Sequence, residues 1–254
     1  MITAGVDIGS ITTKAALLDD GKLLGTRVGF TGYHAESAGA KVYDELLRDL
    51  GLERGAVARL ISTGYGRNAL KIADTSVTEI TCHAAGAHYL DPNIRSIIDI
   101  GGQDSKAIAL DERGKVRDFT MNDKCAAGTG RFLEVMARAL EVDLDEFGAL
   151  SLESREPSKI SNLCTVFAES EVISLISRGE ARNDIIAGIH ESIAARVVSM
   201  ARRVGVTEPL MMTGGVAKNL GVARALEKKL GFPIVISRFA QENGAIGAAV
   251  IAAG

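Results

Sequence analysis

The chain of 254 residues is 46% hydrophobic and 24% charged, and its 29 basic and 32 acidic residues give a formal net charge of −3 at pH 7. This apolar content is ample for a buried core in one large or two small α/β domains, and without a basic cluster we expect no nucleic-acid partner. The sequence has no run of about 18 apolar residues and no basic flank near its start, so we expect a cytoplasmic protein without a membrane anchor. Its three cysteines, Cys82, Cys125 and Cys164, are too few and too widely spaced for a disulfide framework.

A segment that begins at Asp7 is repeated from Asp99 onward. Each copy consists of an apolar run, a glycine-containing polar turn and a second apolar run, a pattern that predicts a β-hairpin. The corresponding pairs are Asp7 with Asp99, Gly9 with Gly101, Thr13 with Ser105, and Lys14 with Lys106. Solenoid repeats are about 20 to 50 residues long. The spacing from Asp7 to Asp99 is wider than this, so it favours two similar α/β lobes over a solenoid.

Helical and strand-like segments alternate along the rest of the chain, which predicts an α/β fold class. The predicted helices cover residues 40–52, 78–90, 131–140, 165–177, 184–204 and 243–253, and further strands are expected at 209–213 and 233–239. We expect a tight lobe boundary near residues 91–95. The predicted domains are an N-terminal lobe, 1–94, and a C-terminal lobe, 95–254, with the last helix packing back on the N-terminal lobe.

Three glycine-rich turns are candidates for nucleotide binding: turn 1 (Gly9 and Ser10), turn 2 (Gly101 and Gly102) and turn 3 (Gly214 and Gly215). Glycine lets backbone N–H groups approach a phosphate closely because it has no Cβ. Turn 3 follows a strand and precedes a helix, so a flat adenosine would lie against bare backbone there. One such glycine is more often only a tight connection, but three in order favour a nucleotide site.

Polar residues next to these turns complete the predicted site. The hydroxyl groups of Ser10, Thr12, Thr13 and Ser105 would add hydrogen-bond donors. Asp7 and Asp99, at the strand ends, would hold Mg²⁺ through water, because Mg²⁺ prefers oxygen ligands and keeps its waters. The sequence contains no GxxxxGK[ST] motif, so a P-loop is excluded, and no GxGxxG motif follows a strand as it does in dinucleotide-binding proteins.

The three turns resemble the phosphate-1, phosphate-2 and adenosine motifs of the acetate kinase, sugar kinase, Hsp70 and actin superfamily. This resemblance implies two ribonuclease-H-like lobes with ATP and Mg²⁺ in a cleft between them. The residues then expected to bind ATP or ADP and Mg²⁺ are Asp7, Gly9, Ser10, Thr12, Thr13, Lys14, Asp99, Gly101, Gly102, Ser105, Gly214, Gly215 and Asn219.

Six longer segments carry a closer resemblance: STGYGRN, DIGGQDSK, MNDKCAAGTGRFLEVMA, CTVFAESEVIS, IAGIH and MTGGVAKN. They are similar to the ATPase activators of 2-hydroxyacyl-CoA dehydratases and to the related ATPase subunits of benzoyl-CoA reductase. The resemblance covers nearly the whole chain. It implies a homodimer that holds one [4Fe–4S] cluster between its subunits and passes single electrons to a partner at the expense of ATP.

Two of the cysteines have parallel surroundings, because Cys125 and Cys164 each precede a predicted helix, whose N-terminus favours a thiolate. A [4Fe–4S] cluster takes four thiolates, and a two-fold dimer would bring two from each chain to one axis. The alternative is that the cysteines are small buried hydrophobic residues, the commonest role of free cysteine, which we accept for Cys82. The family resemblance places the cluster ligands at Cys125 and Cys164.

The resemblance implies an ATP-driven electron donor. Electrons would come from a reduced ferredoxin or flavodoxin and pass to a 2-hydroxyacyl-CoA dehydratase, a benzoyl-CoA-type reductase or a related double-cubane iron–sulfur protein. Gln103 and Asp104 are both candidates for placing the attacking water. Two alternatives on the same fold are a small-molecule kinase and a regulatory ATPase without redox chemistry.

Overall fold

The computed structural model describes residues 1–161 and 165–254, and it confirms the predicted α/β fold class. Across these residues, ten strands form two five-stranded sheets that are accompanied by eight α-helices. The strands are β1 Ile2–Ile8, β2 Thr12–Asp19, β3 Lys22–Phe30, β4 Val57–Thr63, β5 Thr75–Ser76, β6 Ser96–Ile100, β7 Ser105–Leu110, β8 Val116–Asn122, β9 Leu210–Thr213 and β10 Ile234–Ile236. The helices are α1 Ala35–Asp49, α2 Glu79–Leu90, α3 Gly130–Ala139, α4 Leu144–Leu152, α5 Thr165–Ser177, α6 Arg182–Arg203, α7 Leu220–Leu230 and α8 Asn243–Ala252.

The two sheets have equivalent strand orders. The first is ordered β3-β2-β1-β4-β5 and the second β10-β9-β6-β7-β8. Read from opposite ends, both orders place the first strand of the repeated hairpin at the centre, between its hairpin partner and a strand that follows much later in the chain. The internal repeat seen in the sequence therefore extends to the topology of both sheets.

The contacts divide the chain into two compact units. The first unit comprises Met1–Ile97, Ile108–Phe119 and Ser237–Gly254, and the second comprises Ile98–Ala107 and Thr120–Ile236. Helix α8 packs against β1 and α2 within the first unit. The division into functional lobes at residues 94 and 95 stays a prediction.

Helices cover both faces of the first sheet, which explains why six of the seven residues of β1 are buried. On one face, Ala4 and Val6 of β1 share a core cluster with Val42 and Leu46 of α1. On the other face, a Cβ at Gly5 would overlap the backbone carbonyl of a residue in α8. Side chains alternate along a strand, so the glycine lets α8 approach the sheet closely.

Some helices have the bounds that the sequence predicted, and others differ from them. The predicted helix 165–177 coincides with α5, and 184–204 matches α6 within two residues. Helix α1 begins five residues before the predicted position 40, after His34, whose side chain makes no capping hydrogen bond. Helix α4 was missed, although Asp143 and the acidic residues of its first turn are a helix-start signal. Among the described residues, no helix is both long and apolar enough to span a bilayer.

The segment 154–161, here called the strap, is anchored to α6 by one carboxylate. Asp184 Oδ1 accepts hydrogen bonds from Ser154 Oγ at 2.7 Å, Arg155 N at 2.9 Å and Glu156 N at 3.1 Å. These bonds, led by the one from Ser154, lower the pKa of Asp184 below its usual value. Ionised Asp184 therefore stabilises the strap.

We expect Asp184→Asn to lower stability at pH 7 but not in strong acid, where the wild-type carboxyl is itself uncharged. A carboxyl whose pKa is depressed on folding stabilises above its unfolded pKa of about 3.9, and this stabilisation is lost as pH falls through the folded value. Urea midpoints of both proteins across pH 2 to 7 would measure the effect. Glu112→Gln is the control, because Glu112 is an exposed carboxylate in a turn outside the helices. A difference that does not change with pH would contradict the ionic role.

Candidate functional site

Turn 1 lies between β1 and β2 of the first unit and is closed by a backbone hydrogen bond. Gly9 N donates to Thr12 O at 3.1 Å, and Lys14 Nζ donates to Asp7 Oδ2 at 3.2 Å across the hairpin. In this pairing, Asp7 and Lys14 are directly opposite each other. Both side chains are largely buried, so the hairpin holds an ion pair directly beneath the glycine.

The hydroxyl groups near turn 1 divide into two kinds. Thr13 is fully buried and its hydroxyl pairs with that of Thr31 at 2.9 Å, while Thr31 Oγ1 also donates to Gly9 O at 2.8 Å. Ser10 and Thr12 are half-buried. The structure therefore uses Thr13 to brace the hairpin and leaves Ser10 and Thr12 more accessible.

Turn 2 reproduces this arrangement in the second unit, with an additional carboxylate. Gly101 N donates to Asp104 O at 2.9 Å, and Lys106 Nζ donates to Asp99 Oδ2 at 3.2 Å. Lys106 Nζ also donates to Asp104 Oδ2 at 2.7 Å. Ser105, the counterpart of Thr13, is buried as well.

A glycine lies against the aspartate of each hairpin, and one of the two was missed as a site residue. Gly214, at the end of β9, has φ +88°, and a Cβ there would lie 2.9 Å from Asp99 Oδ1. Gly64, at the end of β4, has φ +84°, and a Cβ there would overlap Asp7 Oδ1. The signal in the sequence is the Thr-Gly pair that ends each strand, Thr63-Gly64 and Thr213-Gly214.

Asp7 and Asp99, one in each unit, are each held by a lysine ammonium group. Asp99 Oδ1 accepts a hydrogen bond from Thr213 Oγ1 at 2.9 Å, and its Oδ2 faces the ammonium group of Lys106. A carboxylate oxygen can accept more than one hydrogen bond, so each aspartate by itself is chemically compatible with the water ligands of Mg²⁺. Direct ligation would instead compete with the lysine ammonium groups.

Turn 3 connects β9 to α7 through a short 3₁₀ turn, Gly215–Lys218. Asn219 caps α7, because its Oδ1 accepts a hydrogen bond from Val222 N at 3.1 Å. Its Nδ2 lies 3.4 Å from Nε2 of His190. Burial lowers the pKa of His190 to about 3, so its ring is neutral at pH 7 and one ring nitrogen can accept. The Asn219 side chain thus supports the start of α7.

Cys125 lies in the loop between β8 and α3. Asn122 Nδ2 donates to the carbonyl oxygen of Cys125 at 2.7 Å and to that of Ala127 at 3.2 Å. Helix α3 begins only at Gly130, so Cys125 is farther from the helix N-terminus than the sequence predicted.

Of the other two cysteines, the structure describes Cys82 but not Cys164. Cys82 is fully buried in α2, and burial raises the pKa of its thiol to about 12, which agrees with a structural role. Cys164 lies outside the described residues. Close before it in the chain, Ser161 donates from N at 3.0 Å and from Oγ at 2.8 Å to the carboxylate of Glu171. In the part of the chain that the structure describes, no group of three or more His, Cys, Asp or Glu residues could hold a metal ion.

Turn 2 is joined directly to the start of α3. Gly130 N donates to Gly101 O at 2.9 Å, and Arg131 N donates to Gly102 O at 2.8 Å. Helix α3 follows the loop that contains Cys125, so two backbone hydrogen bonds connect this loop's end to turn 2. The sequence did not predict this connection.

The chain is similar along its whole length to proteins of one family. The sequence profile of the BadF/BadG/BcrA/BcrD ATPase family matches residues 4–252. The activator of lactoyl-CoA dehydratase from Anaerotignum propionicum is 47% identical over 253 residues, which are 99% of this chain and 97% of that protein.

Two solved structures are also closely similar. Component A of (R)-2-hydroxyglutaryl-CoA dehydratase from Acidaminococcus fermentans has a TM-score of 0.96 and 47% identity, with 99% of this chain and 97% of that chain covered. The activator of 2-hydroxyisocaproyl-CoA dehydratase from Clostridium difficile, with bound ADPNP, has a TM-score of 0.93 and 44% identity, with 99% and 94% covered. A glucokinase of the ROK family from Streptomyces griseus has a TM-score of 0.61 at 16% identity, covering 100% and 99%, which shows the shared fold alone.

Proposed function

The chain belongs to the BadF/BadG/BcrA/BcrD ATPase family, and from this premise we propose that it is an ATP-dependent one-electron donor to an iron–sulfur acceptor enzyme. The proposed acceptor is a 2-hydroxyacyl-CoA dehydratase, a benzoyl-CoA-type reductase or a related double-cubane protein. Relatives named as activators of three such dehydratases support this choice, and each is 44% to 48% identical to the chain. The proposed electron source is a reduced ferredoxin or flavodoxin.

The nucleotide part of the proposal assigns ATP and Mg²⁺ to the three turns. Backbone N–H groups of turns 1 and 2 and the accessible hydroxyls of Ser10 and Thr12 bind phosphate oxygens, and turn 3 lies against the adenosine. Asp7 and Asp99 hold Mg²⁺ through water. The bound ADPNP of the Clostridium difficile relative supports a nucleotide site in a chain of this kind.

The redox part assigns the cluster to cysteines of two copies of the chain. Cys125 and Cys164 of each copy are the proposed ligands of one [4Fe–4S] cluster in a homodimer. The half-buried position of Cys125 fits a thiol that is shared with a second chain, whereas fully buried Cys82 does not fit. When bound, such a cluster accepts and releases single electrons at a potential set by hydrogen bonds and solvent exposure.

The observation that carries the proposal is the pair of hydrogen bonds from Gly130 N and Arg131 N to turn 2. A nucleotide that shifts turn 2 also shifts the start of α3, and with it the end of the loop that holds Cys125. A ligand changes an equilibrium only through a difference in affinity between two states. This connection supplies a physical route for that difference to reach a cluster ligand.

We therefore expect a chelator to remove cluster iron at different rates from ATP-bound and ADP-bound protein. A coupling of ordinary size corresponds to roughly a fivefold or larger change in equilibrium, so rates should differ by about threefold or more. Bathophenanthroline absorbance would follow iron release from anaerobic protein, with equal Mg²⁺ in both samples and nucleotide-free protein as the reference. Equal release rates together with equal reduction potentials would favour the kinase or regulatory-ATPase alternative.

A further inference from the structure

The two repeated hairpins differ at one position of chemical importance. In turn 1, the ammonium group of Lys14 pairs with one carboxylate, that of Asp7. In turn 2, Lys106 pairs with two carboxylates, because Asp104 stands where the first copy has Thr12. Turn 2 therefore has a carboxylate that turn 1 lacks.

Asp104 is held by both its backbone and its side chain. Its carbonyl oxygen accepts from Gly101 N, and its Oδ2 accepts from Lys106 Nζ at 2.7 Å, where the lysine side chain is only 5% exposed. The Asp104 side chain remains 27% exposed. Its Oδ1 lines turn 2, because a Cβ at Gly101 would lie 2.6 Å from it.

Gln103, the neighbouring candidate, is placed differently. Its side chain is exposed and makes no hydrogen bond to the described residues. A group that orients a reacting water must itself be fixed, since a misplacement of about 1 Å costs roughly 100-fold in rate. The geometry therefore separates two candidates that the sequence left equal.

We infer that Asp104 contacts the water that attacks ATP, and that Lys106 positions Asp104 without touching the reacting atoms. The inference rests on the proposed nucleotide site. In the step, the water oxygen forms a bond to the γ-phosphorus while the bond from this phosphorus to the β–γ bridging oxygen breaks. ADP leaves with that electron pair, and the proton that the water releases passes to an oxygen of the transferred phosphate, which leaves as hydrogen phosphate. Asp104 accepts a hydrogen bond from the water and so sets its direction of attack.

The test compares Asp104→Asn, Gln103→Ala and Lys106→Met by steady-state ATP hydrolysis and by calorimetric ADP binding. Asp104→Asn should lower kcat by about 100-fold, the usual scale for a group acting on the attacking nucleophile, with ADP affinity changed by less than about threefold. Gln103→Ala should lower kcat much less than Asp104→Asn does. Lys106→Met should lower kcat, and Lys106→Arg, which keeps a cation beside Asp99 and Asp104, should lose less of it.

Lys14→Met is the matched variant in the other hairpin. Lys14 Nζ lies beside Gly9, 3.1 Å from where a Cβ would stand, so its loss should weaken ADP binding rather than lower kcat selectively. If Lys106→Met does not fold, the kcat of Asp104→Asn still tests the role of Asp104, because this variant retains Lys106. Wild-type protein that neither binds ADP nor hydrolyses ATP would overturn the proposed function. If wild-type protein hydrolyses ATP, a kcat of Asp104→Asn within about threefold of the wild-type kcat would overturn this inference alone. A larger loss of kcat in Gln103→Ala than in Asp104→Asn would do the same.

Discussion

Replacing Cys125 with serine is expected to remove the proposed iron–sulfur cluster and abolish the proposed electron transfer to the acceptor. A cubane cluster is held by thiolates, and a two-chain site with one ligand changed on each chain keeps only two of four. Anaerobic wild-type protein should contain about four irons per two chains, and Cys125→Ser should contain almost none. Iron and acid-labile sulfide analysis, together with the brown colour, would measure the loss.

Cys82→Ser is the matched control for this experiment. Its thiol is fully buried inside α2, and its raised pKa opposes the thiolate form that a cluster needs. Cys82→Ser should retain the iron, whereas Cys164→Ser should lose it. Four irons per single chain would contradict a shared cluster, and zinc in place of iron would contradict the redox role.

Cluster loss should leave the nucleotide site working. Calorimetric ADP affinity of Cys125→Ser is expected to stay close to that of wild-type protein loaded with the same nucleotide. This measurement separates a missing cluster from a misfolded chain.

Gly214→Ala is expected to be the most damaging of the small changes at the proposed nucleotide site. Gly214 has φ +88° and ψ 172°, a backbone region occupied almost only by glycine. An added Cβ would also overlap the carbonyl oxygen of Ile100. Strain of this kind costs about 1–3 kcal/mol, and overpacking adds about 1–3 kcal/mol. We expect the free energy of unfolding to fall by roughly 3 kcal/mol, with loss of ADP binding.

Gly231→Ala is the control for a glycine with positive φ that has neither the extended ψ of Gly214 nor a collision. Gly231, which follows α7, has φ +89° and ψ 9°, but a Cβ there would meet no atom within 4 Å. Its cost should be only about 1 kcal/mol, as for a left-handed residue without a collision. Urea unfolding and ADP titration of both variants would measure the difference. Equal losses of stability in the two proteins would contradict the additional strain and collision expected at Gly214.

The sequence by itself determined the elements that depend on neighbouring residues. The repeated hairpins at Asp7 and Asp99 were predicted because each is a local unit, in which a glycine turn joins two apolar strands. The ion pairs of Lys14 and Lys106 follow from that register, since the paired residues are brought together by one tight turn. Helix α5 was predicted for the same local reason, whereas the start of α1 lacks a capping side chain and was placed too late.

The tertiary structure alone decided the contacts between residues that are far apart in the chain. The approach of Gly214 to Asp99, and of Gly64 to Asp7, depends on which strands become neighbours in each sheet. The same is true of the hydrogen bonds between turn 2 and the start of α3, which join residues from different elements. A local pattern does not encode these distances, because strand order and helix packing are set by the burial of the whole core. Asp104 differs from Gln103 for a local reason, because Gly101 and Lys106 of the same hairpin hold its oxygens.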